Sequence, residues 1–268
     1  MIRDITIGQY YPANSVIHKL DPRTKIIGTL LFIISLFLFN SFSGYILVVA
    51  FLAFCITLSK VPFSYMVRGL RAIVVLLMLT VVINMFMTPG EPLINVWRLT
   101  ITKEGLRTAF FMGFRLMLLI IGSSVMTLTT TPNNLTDALE KLMRPLKVFK
   151  APVHEIAMMM SIALSFIPIL IEETDKIMKA QMARGADFEN RNIIKRVKSY
   201  IPVLVPLFIS AFRRAGDLAM AMEARCYRGG DGRTKMKPLK YEKRDVIAFI
   251  VTVIYFIAVI VIPKLVVW

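Results

Sequence analysis

Five apolar stretches interrupt this 268-residue sequence, and they constrain its fold more than any other feature. A helix needs about 20 apolar residues to cross a bilayer, although flanking lysines and arginines extend shorter stretches to the interface. None of the 17 acidic residues lies inside the five stretches. We therefore predict five transmembrane helices, at about Ile26–Phe42, Gly44–Leu58, Ala72–Met87, Thr108–Leu128 and Val246–Ile262.

The charge is concentrated away from these stretches. Hydrophobic residues make up 56% of the chain, more than the roughly 45–50% of ordinary soluble domains, yet the formal net charge is +16. Residues 141–244 hold 21 of the 33 lysines and arginines. The composition therefore excludes a soluble globular protein and predicts a membrane protein with one large basic section.

The loop charges predict the orientation, because lysine and arginine are enriched on the cytoplasmic side. With a cytoplasmic N-terminus, the outer segments carry only Arg98, Lys103, Arg107 and Lys264. We therefore predict an all-α polytopic protein with three parts. Residues 1–131 hold the N-terminal region and four transmembrane helices, residues 132–243 form a cytoplasmic helical domain, and residues 244–268 form the last transmembrane helix.

The basic section itself predicts three helices. Thr131-Pro132 is a typical helix start, with a capping hydroxyl before proline at the first helical position. A second helix is predicted at about Val153–Arg184, with Gly185 as its C-terminal stop, and a third at about Tyr200–Arg225. Two apolar segments in these helices leave the number of membrane crossings open, namely Ile156–Ile171 and Ile201–Phe212.

A repeated motif closes the second and third of these helices. The segments are Gln181-Met182-Ala183-Arg184-Gly185 and Met222-Glu223-Ala224-Arg225-Cys226, with the arginines 41 residues apart. One such arginine is explained by favourable interaction with the negative end of the helix dipole. Two suggest a pair of equivalent contacts, because an exposed guanidinium can grip a partner's carboxylate with two hydrogen bonds.

Alanines on these helices have two interpretations. Small residues at Ala211, Ala215 and Ala219, with Ala180 and Ala183 on the preceding helix, would let two helices cross closely. Plain helix propensity explains the same alanines equally well.

Side chains that support catalysis or metal binding are sparse. His154-Glu155 is not followed by the second histidine of a zinc helix motif, and no phosphate-binding P-loop is present. The acidic cluster Glu172, Glu173 and Asp175 suggests a cation site, but a solvated helix face that pairs with nearby lysines is favoured. We expect no enzyme activity, no cofactor, no metal and no nucleic-acid partner.

Arg115 is the one clear charge within the predicted spans. Such charges often mark functional contacts, but an arginine that snorkels to the interface is the favoured interpretation here.

The sequence resembles the transmembrane T component of energy-coupling factor transporters, which are related to ABC transporters. The resemblance covers essentially the whole chain. Its carriers are His18-Lys19-Leu20-Asp21-Pro22-Arg23-Thr24-Lys25, Thr129-Thr130-Thr131-Pro132, Ala183-Arg184-Gly185 and Glu223-Ala224-Arg225-Cys226-Tyr227-Arg228-Gly229. The second motif departs from the family's Ala-Arg-Gly pattern, since Cys226 follows its arginine, and this predicts a different helix stop.

The resemblance implies a scaffold of a bacterial or archaeal cell membrane. Its crossed coupling helices would transmit the motion of two cytoplasmic ABC-type ATPase subunits to a membrane-embedded S component that binds a vitamin or other micronutrient. The implied ATPase contacts are Arg184 and Arg225, with Ala183, Gly185, Ala224 and Cys226 as their frame.

Three alternatives stay open. A self-contained channel or secondary carrier would transport without partners, although the acid-free spans argue against ion coupling. A membrane-bound lipid enzyme would need a nucleophile or metal cluster near the interface. A scaffold that binds anionic lipid through its basic surface is compatible with the T-component interpretation.

Overall fold

The computed structural model describes residues 10–39, 41–96, 99–190, 192–230, 236 and 238–265. Helices dominate this part of the chain. The helices are α1 (Pro22–Phe37), α2 (Phe42–Ser59), α3 (Phe63–Met87), α4 (Lys103–Thr129), α5 (Pro132–Met143), α6 (Val153–Ala183), α7 (Ile193–Ala224) and α8 (Lys243–Leu265), with a short 3-10 helix at Arg144–Phe149. An antiparallel hairpin of β1 (Pro92–Val96) and β2 (Leu99–Thr102), which the sequence did not predict, joins α3 to α4.

The described residues divide into two compact units. The five-helix unit takes its residues from 9–138 and 239–268 and contains α1, α2, α3, α4 and α8. The two-helix unit takes its residues from 139–238 and contains α6 and α7.

Four of the described helices are long and apolar enough to cross a membrane, namely α2, α4, α6 and α8. Three of them correspond to predicted spans, but α6 lies in the section predicted to be cytoplasmic. The predicted first span corresponds to α1, whose 16 residues cover about 24 Å, less than the roughly 30 Å of a hydrocarbon core. The predicted third span is the apolar end of α3, Ile73–Met87, which is also short. The predicted helical, polytopic fold class is confirmed, although the helices long enough to cross a membrane differ from the five predicted spans.

Aromatic packing joins α8 to α1 and α2 within the five-helix unit. The rings of Phe51 and Tyr255 stack with their centroids 4.0 Å apart, and Phe32 packs against both. The Tyr255 hydroxyl lies 2.8 Å from the Ser35 hydroxyl in a buried hydrogen bond. Helices far apart in sequence are thus packed through one apolar core, which includes the fully buried Leu36 and Val48.

A polar cluster fixes the end of this unit where α1 begins. The backbone N–H of Asp21 donates to Asp245 Oδ1 at 2.6 Å, and both aspartates are buried. Arg23 forms an ion pair of 2.8 Å with Asp21 and lies over the ring of Tyr241, 3.8 Å from its centroid. The pKa of Arg23 is raised, mainly by its hydrogen bond to the carboxylate of Asp21. Asp21 and Arg23 therefore tie the start of α1 to the start of α8.

Lys25 joins α4 to the same cluster. Its Nζ donates to the carbonyl of Thr129 at 2.8 Å, and a C-terminal carbonyl of α4 is thereby satisfied. Burial lowers the pKa of Lys25 to about 8, while Asp245 and Asp21 act in the opposite direction.

Arg115 has a structural partner in this unit. Its Nη2 donates to the carbonyl of Phe39, just beyond the end of α1, at 3.0 Å, and its guanidinium lies 5.5 Å from the Phe37 ring. Arg115 therefore stabilises the end of α1, a contact that neither interpretation from the sequence included.

Candidate coupling site

The first motif forms the end of α6, and Arg184 is its C-terminal cap. The N–H of Gly185 donates to the carbonyl of Met182 at 2.9 Å, and the N–H of Ala186 donates to the carbonyl of Gln181 at 3.0 Å. This bonding pattern satisfies helix carbonyls that would otherwise lack a partner. The predicted stop at Gly185 is confirmed.

The second motif ends α7 with the same pattern. Arg225 is the cap, the N–H of Cys226 donates to the carbonyl of Glu223 at 2.8 Å, and the N–H of Tyr227 donates to the carbonyl of Met222 at 3.0 Å. The bonds link residues at the same spacings as in the first motif. The two helix ends are therefore equivalent in backbone structure.

The prediction of a different helix stop after the second arginine is wrong. Gly185 has φ of 89° and Cys226 has φ of 55°, so both residues adopt the left-handed conformation. Glycine does so freely, whereas a residue with a Cβ incurs a steric cost of roughly 1–2 kcal/mol. Cys226 keeps the left-handed conformation although it lacks the conformational freedom of glycine.

Both arginines and their frame lie on the surface. Arg184 and Arg225 are exposed, as are Ala183, Gly185, Ala224 and Cys226. Among the described residues, none accepts a hydrogen bond from the guanidinium of Arg184 or Arg225. Each arginine is thus presented at a helix tip with its donors available to another molecule.

Two polar contacts join α6 to α7. Glu173 forms an ion pair with Arg214 at 3.1 Å, and Gln181 Nε2 lies 3.4 Å from the carbonyl of Pro202. The later residue of α6 contacts the earlier residue of α7, so the helices run antiparallel. Arg184 and Arg225 consequently lie at opposite ends of the pair.

The loop after each arginine is anchored within the two-helix unit. After Arg184, the ring of buried Phe188 packs 5.3 Å from that of Tyr200 on α7. After Arg225, the backbone at Gly230 lies against the imidazole of His154, so closely that an added Cβ would come 2.3 Å from Cδ2 of that ring. These contacts restrict the path of the chain just beyond each guanidinium.

His154 itself is held by α5. Its Nδ1 lies 2.9 Å from Glu140 Oε1, and both side chains are 19% exposed. The pair orients the ring against which Gly230 packs.

Comparison with known proteins identifies the family of this chain. A profile of the CbiQ family, described as "Cobalt transport protein", matches residues 13–236. The chain belongs to this family. Curated relatives include the energy-coupling factor transporter transmembrane protein EcfT of Clostridium kluyveri, which is 58% identical over 92% of this chain and 93% of the relative. The EcfT proteins of Thermosediminibacter oceani and Lactococcus lactis subsp. cremoris are 55% and 46% identical, over 94% and 91% of this chain and 95% and 92% of the relatives.

The resemblance seen in the sequence is therefore confirmed. This CbiQ-family chain is a transmembrane component of the energy-coupling factor transporter type, and its apolar helices agree with a multi-pass membrane location. A transmembrane transporter component implies a non-catalytic role.

Some residues singled out in the sequence are not brought together in this CbiQ-family chain. Ala180, Ala183, Ala215 and Ala219 are exposed and Ala211 is half-buried, so the alanine stripe as a whole is not buried between α6 and α7. In the acidic cluster, Glu173 faces Arg214 on the other helix rather than a lysine of its own. No metal-binding cluster is found in the described part of the chain.

The Glu173–Arg214 pair is the feature that the sequence reasoning missed. Glu173 precedes Arg184 by the same number of residues as Arg214 precedes Arg225. Glu173 and Arg214 are therefore 41 residues apart in the sequence, as are Arg184 and Arg225. The ion pair therefore joins corresponding positions of two helices that end in corresponding arginines. The equal spacing of the two charged residues and the two motif arginines is the sequence feature that could have predicted this ion pair.

Proposed function

We propose that this chain couples two cytoplasmic ABC-type ATPase subunits to a membrane-embedded S component and thereby drives uptake of a vitamin or other micronutrient. The observation that carries this proposal is the presentation of Arg184 and Arg225. Equivalent helix ends expose the two guanidiniums at opposite ends of an antiparallel pair, and no described residue engages either one. Two similar grooves on two related partners would fit two such tips.

The contact chemistry follows from the guanidinium. Its planar array of donors matches a carboxylate with two parallel hydrogen bonds, which lysine cannot reproduce. A carboxylate in a groove of each ATPase is the ligand that we propose for each arginine. The exposed alanines beside them, Ala183 and Ala224, leave room for the groove walls.

Transmission of motion relies on stiff helices. Each arginine lies about 16 Å along its own helix from the Glu173–Arg214 pair, at the 1.5 Å rise of an α-helix. When ATP binding closes the ATPase dimer, the two grooves move relative to each other. The helices carry this motion past the ion pair to their apolar surfaces, where the S component would be repositioned to release its substrate inside.

The apolar surfaces of α6 and α7 support this part of the proposal. Met159, Met160 and Ile167 on α6 are exposed, as are Phe208 and Phe212 on α7. We assign these surfaces to contact with the S component or lipid, where flexible methionines adapt to different partners. The N-terminus and the helical domain of residues 132–243 are placed on the cytoplasmic side by the same proposal.

Charge reversal at the two arginines tests the proposal. The chain is co-expressed with its ATPases, and copurification is measured for Arg184→Glu, Arg225→Glu and the double variant. Each single reversal should weaken copurification and the double reversal should abolish it, because a carboxylate would then face a carboxylate. Arg184→Lys should retain only part of the binding, since one bidentate contact is lost.

Arg196→Glu is the matched control. Arg196 is an exposed arginine in the first turn of α7, so its reversal changes the net charge equally while both motif arginines are kept. Normal copurification of the double variant, or an equal loss in Arg196→Glu, would overturn the proposed contacts.

A further inference from the structure

An apolar cavity opens among the helices of the five-helix unit. Its volume is about 240 Å³, and residues of α1, α2, α4 and α8 line it. Phe51 and Cys55 come from α2, Met126 comes from α4, and Val251 comes from α8. Most of the lining is apolar, and Lys25, Arg244 and four threonines supply its polar part. An occupant with a long apolar part and a polar end therefore fits the cavity.

The position of the cavity matches one leaflet of a bilayer. On α1 its lining extends from Thr24 to Phe32, and on α8 from Arg244 to Thr252. Eight residues of helix cover about 12 Å, close to the roughly 15 Å of half a hydrocarbon core. The cavity begins at the polar cluster where α1 and α8 start, so its length lies along the direction of an acyl chain.

The charged residues that line the cavity are both cations, Lys25 and Arg244. Lys25 Nζ has acceptors for two of its hydrogens, the carbonyls of Thr129 at 2.8 Å and His18 at 3.4 Å. An ammonium has three donors, and no other described residue accepts the third. Arg244 uses Nε and Nη2 for Glu242 and retains Nη1 for a further acceptor. Each of the two lining cations thus keeps a donor that no described residue uses.

We propose that this cavity binds one acyl chain of an anionic phospholipid, whose phosphate group is recognised by Lys25 and Arg244. The bilayer provides acyl chains at high concentration, so filling the cavity needs no transfer from water. The chain restores dispersion contacts that an empty cavity lacks, and the two cations select the headgroup. The site does not depend on the proposed ATPase contacts.

Photochemical labelling of the full chain in vesicles tests this site. The vesicles contain phosphatidylglycerol and phosphatidylcholine in equal amounts, with a trace of phosphatidylglycerol that carries a diazirine in its acyl chain. After irradiation, peptide mapping should find the adducts concentrated on the lining segments 51–58 and 247–252. The corresponding phosphatidylcholine probe should label these segments more weakly.

Gly28 provides a steric test. A Cβ at this position would lie 3.7 Å from Thr252 Oγ1, so alanine fits and a larger side chain projects into the cavity. Gly28→Leu should abolish labelling of the lining segments, while Gly28→Ala should retain it. Labelling that persists in Gly28→Leu, or that is spread evenly over all lipid-facing helices, would refute the site.

The Arg244→Gln variant tests recognition of the headgroup and leaves the cavity open. Preference for the phosphatidylglycerol probe should fall about fivefold, as expected for one cation near an anionic headgroup. Lys60→Gln is the matched control, because exposed Lys60 follows α2 near the same polar end but does not line the cavity. Equal labelling by both probes in the unmodified chain, or an equal fall in Lys60→Gln, would show general surface attraction and overturn the proposal.

Discussion

Glu173 and Arg214 occupy corresponding positions of α6 and α7, and their side chains form an ion pair of 3.1 Å. Each precedes its motif arginine by the same number of residues. The pair is partly exposed, with side-chain exposures of 39% for Arg214 and 27% for Glu173. Its contribution to stability is therefore modest, and we expect it to act by fixing the register of the two helices that carry the candidate contacts.

A double-mutant cycle on this pair should detect the coupling. Glu173→Gln and Arg214→Gln, alone and together, should reveal an interaction of about 0.5–1 kcal/mol, the range for partly exposed pairs. The measurement is thermal unfolding of the chain in detergent. In ATPase copurification, the charge-swapped double variant Glu173→Arg with Arg214→Glu should recover what each single reversal loses. A swap that performs no better than the single reversals would remove the register role.

The left-handed residue after each arginine gives a second prediction. Cys226→Gly should stabilise the end of α7 by roughly 1 kcal/mol, because glycine has no Cβ to clash in this conformation. Slower hydrogen exchange of the last turn of α7 measures the effect. Cys226→Ala is the control, since it removes the thiol but keeps the Cβ, and it should bring no gain. A similar gain in both variants would assign the cost to the sulfur atom instead.

The converse change applies to the first motif. Gly185→Ala should destabilise the end of α6 by about the same amount, since the added Cβ meets no neighbouring atom but the φ of 89° disfavours it. Faster hydrogen exchange of the last turn of α6 is the expected result. Gly216→Ala, at an exposed helical position where a Cβ also meets no atom, should leave that exchange unchanged and raise helix stability.

The ends of α6 and α7 were predicted from sequence, but the left-handed conformation after Arg225 and the start of α7 were not. Gly185 marks the first stop directly, whereas cysteine seldom adopts a left-handed conformation and gave no such signal at Cys226. The start of α7 was predicted at Tyr200, yet the helix begins at Ile193, where the Asn192 side chain accepts a hydrogen bond from the N–H of Ile194. Its first turns are basic and exposed, so they lack an apolar pattern.

The contacts between segments that are distant in sequence were not predictable. The bond from Asp21 to Asp245 joins residues 224 positions apart, and the bond from Lys25 to Thr129 joins residues 104 apart. Periodicity and capping signals act over a few turns of helix and carry no information about such pairs. The sequence thus predicted the helices and the two motif arginines but not the polar cluster that joins α1, α4 and α8.

The contact of Gly230 with His154 predicts how the loop after Arg225 is held. Gly230→Ala should displace the imidazole, because the new Cβ would otherwise come 2.3 Å from Cδ2, and the hydrogen bond to Glu140 should weaken. Hydrogen exchange of residues 226–230 should accelerate as a result. Combining the change with His154→Ala removes the steric conflict, so the double variant should exchange more slowly than Gly230→Ala. If the second change makes exchange faster still, the ring supports the loop in some other way.

His18 predicts a stability loss in mild acid. Its Nε2 lies 2.9 Å from the carbonyl of Tyr11 and its Nδ1 lies 2.7 Å from the Ser15 hydroxyl. Burial lowers the pKa of His18 below its usual 6.5, and the charge of Lys25 acts in the same direction, although the bond to Tyr11 opposes both. The unfolded chain therefore binds a proton more readily than the folded one, so the stabilising contribution is complete above pH 6.5 and is lost as the pH falls through the lower folded pKa.

Thermal unfolding in detergent from pH 7.5 to 5 measures how steeply stability depends on pH. The His18→Gln variant should make this slope shallower, and His154→Gln serves as the comparison at the second histidine. An unchanged slope in His18→Gln would assign the acid sensitivity to other groups.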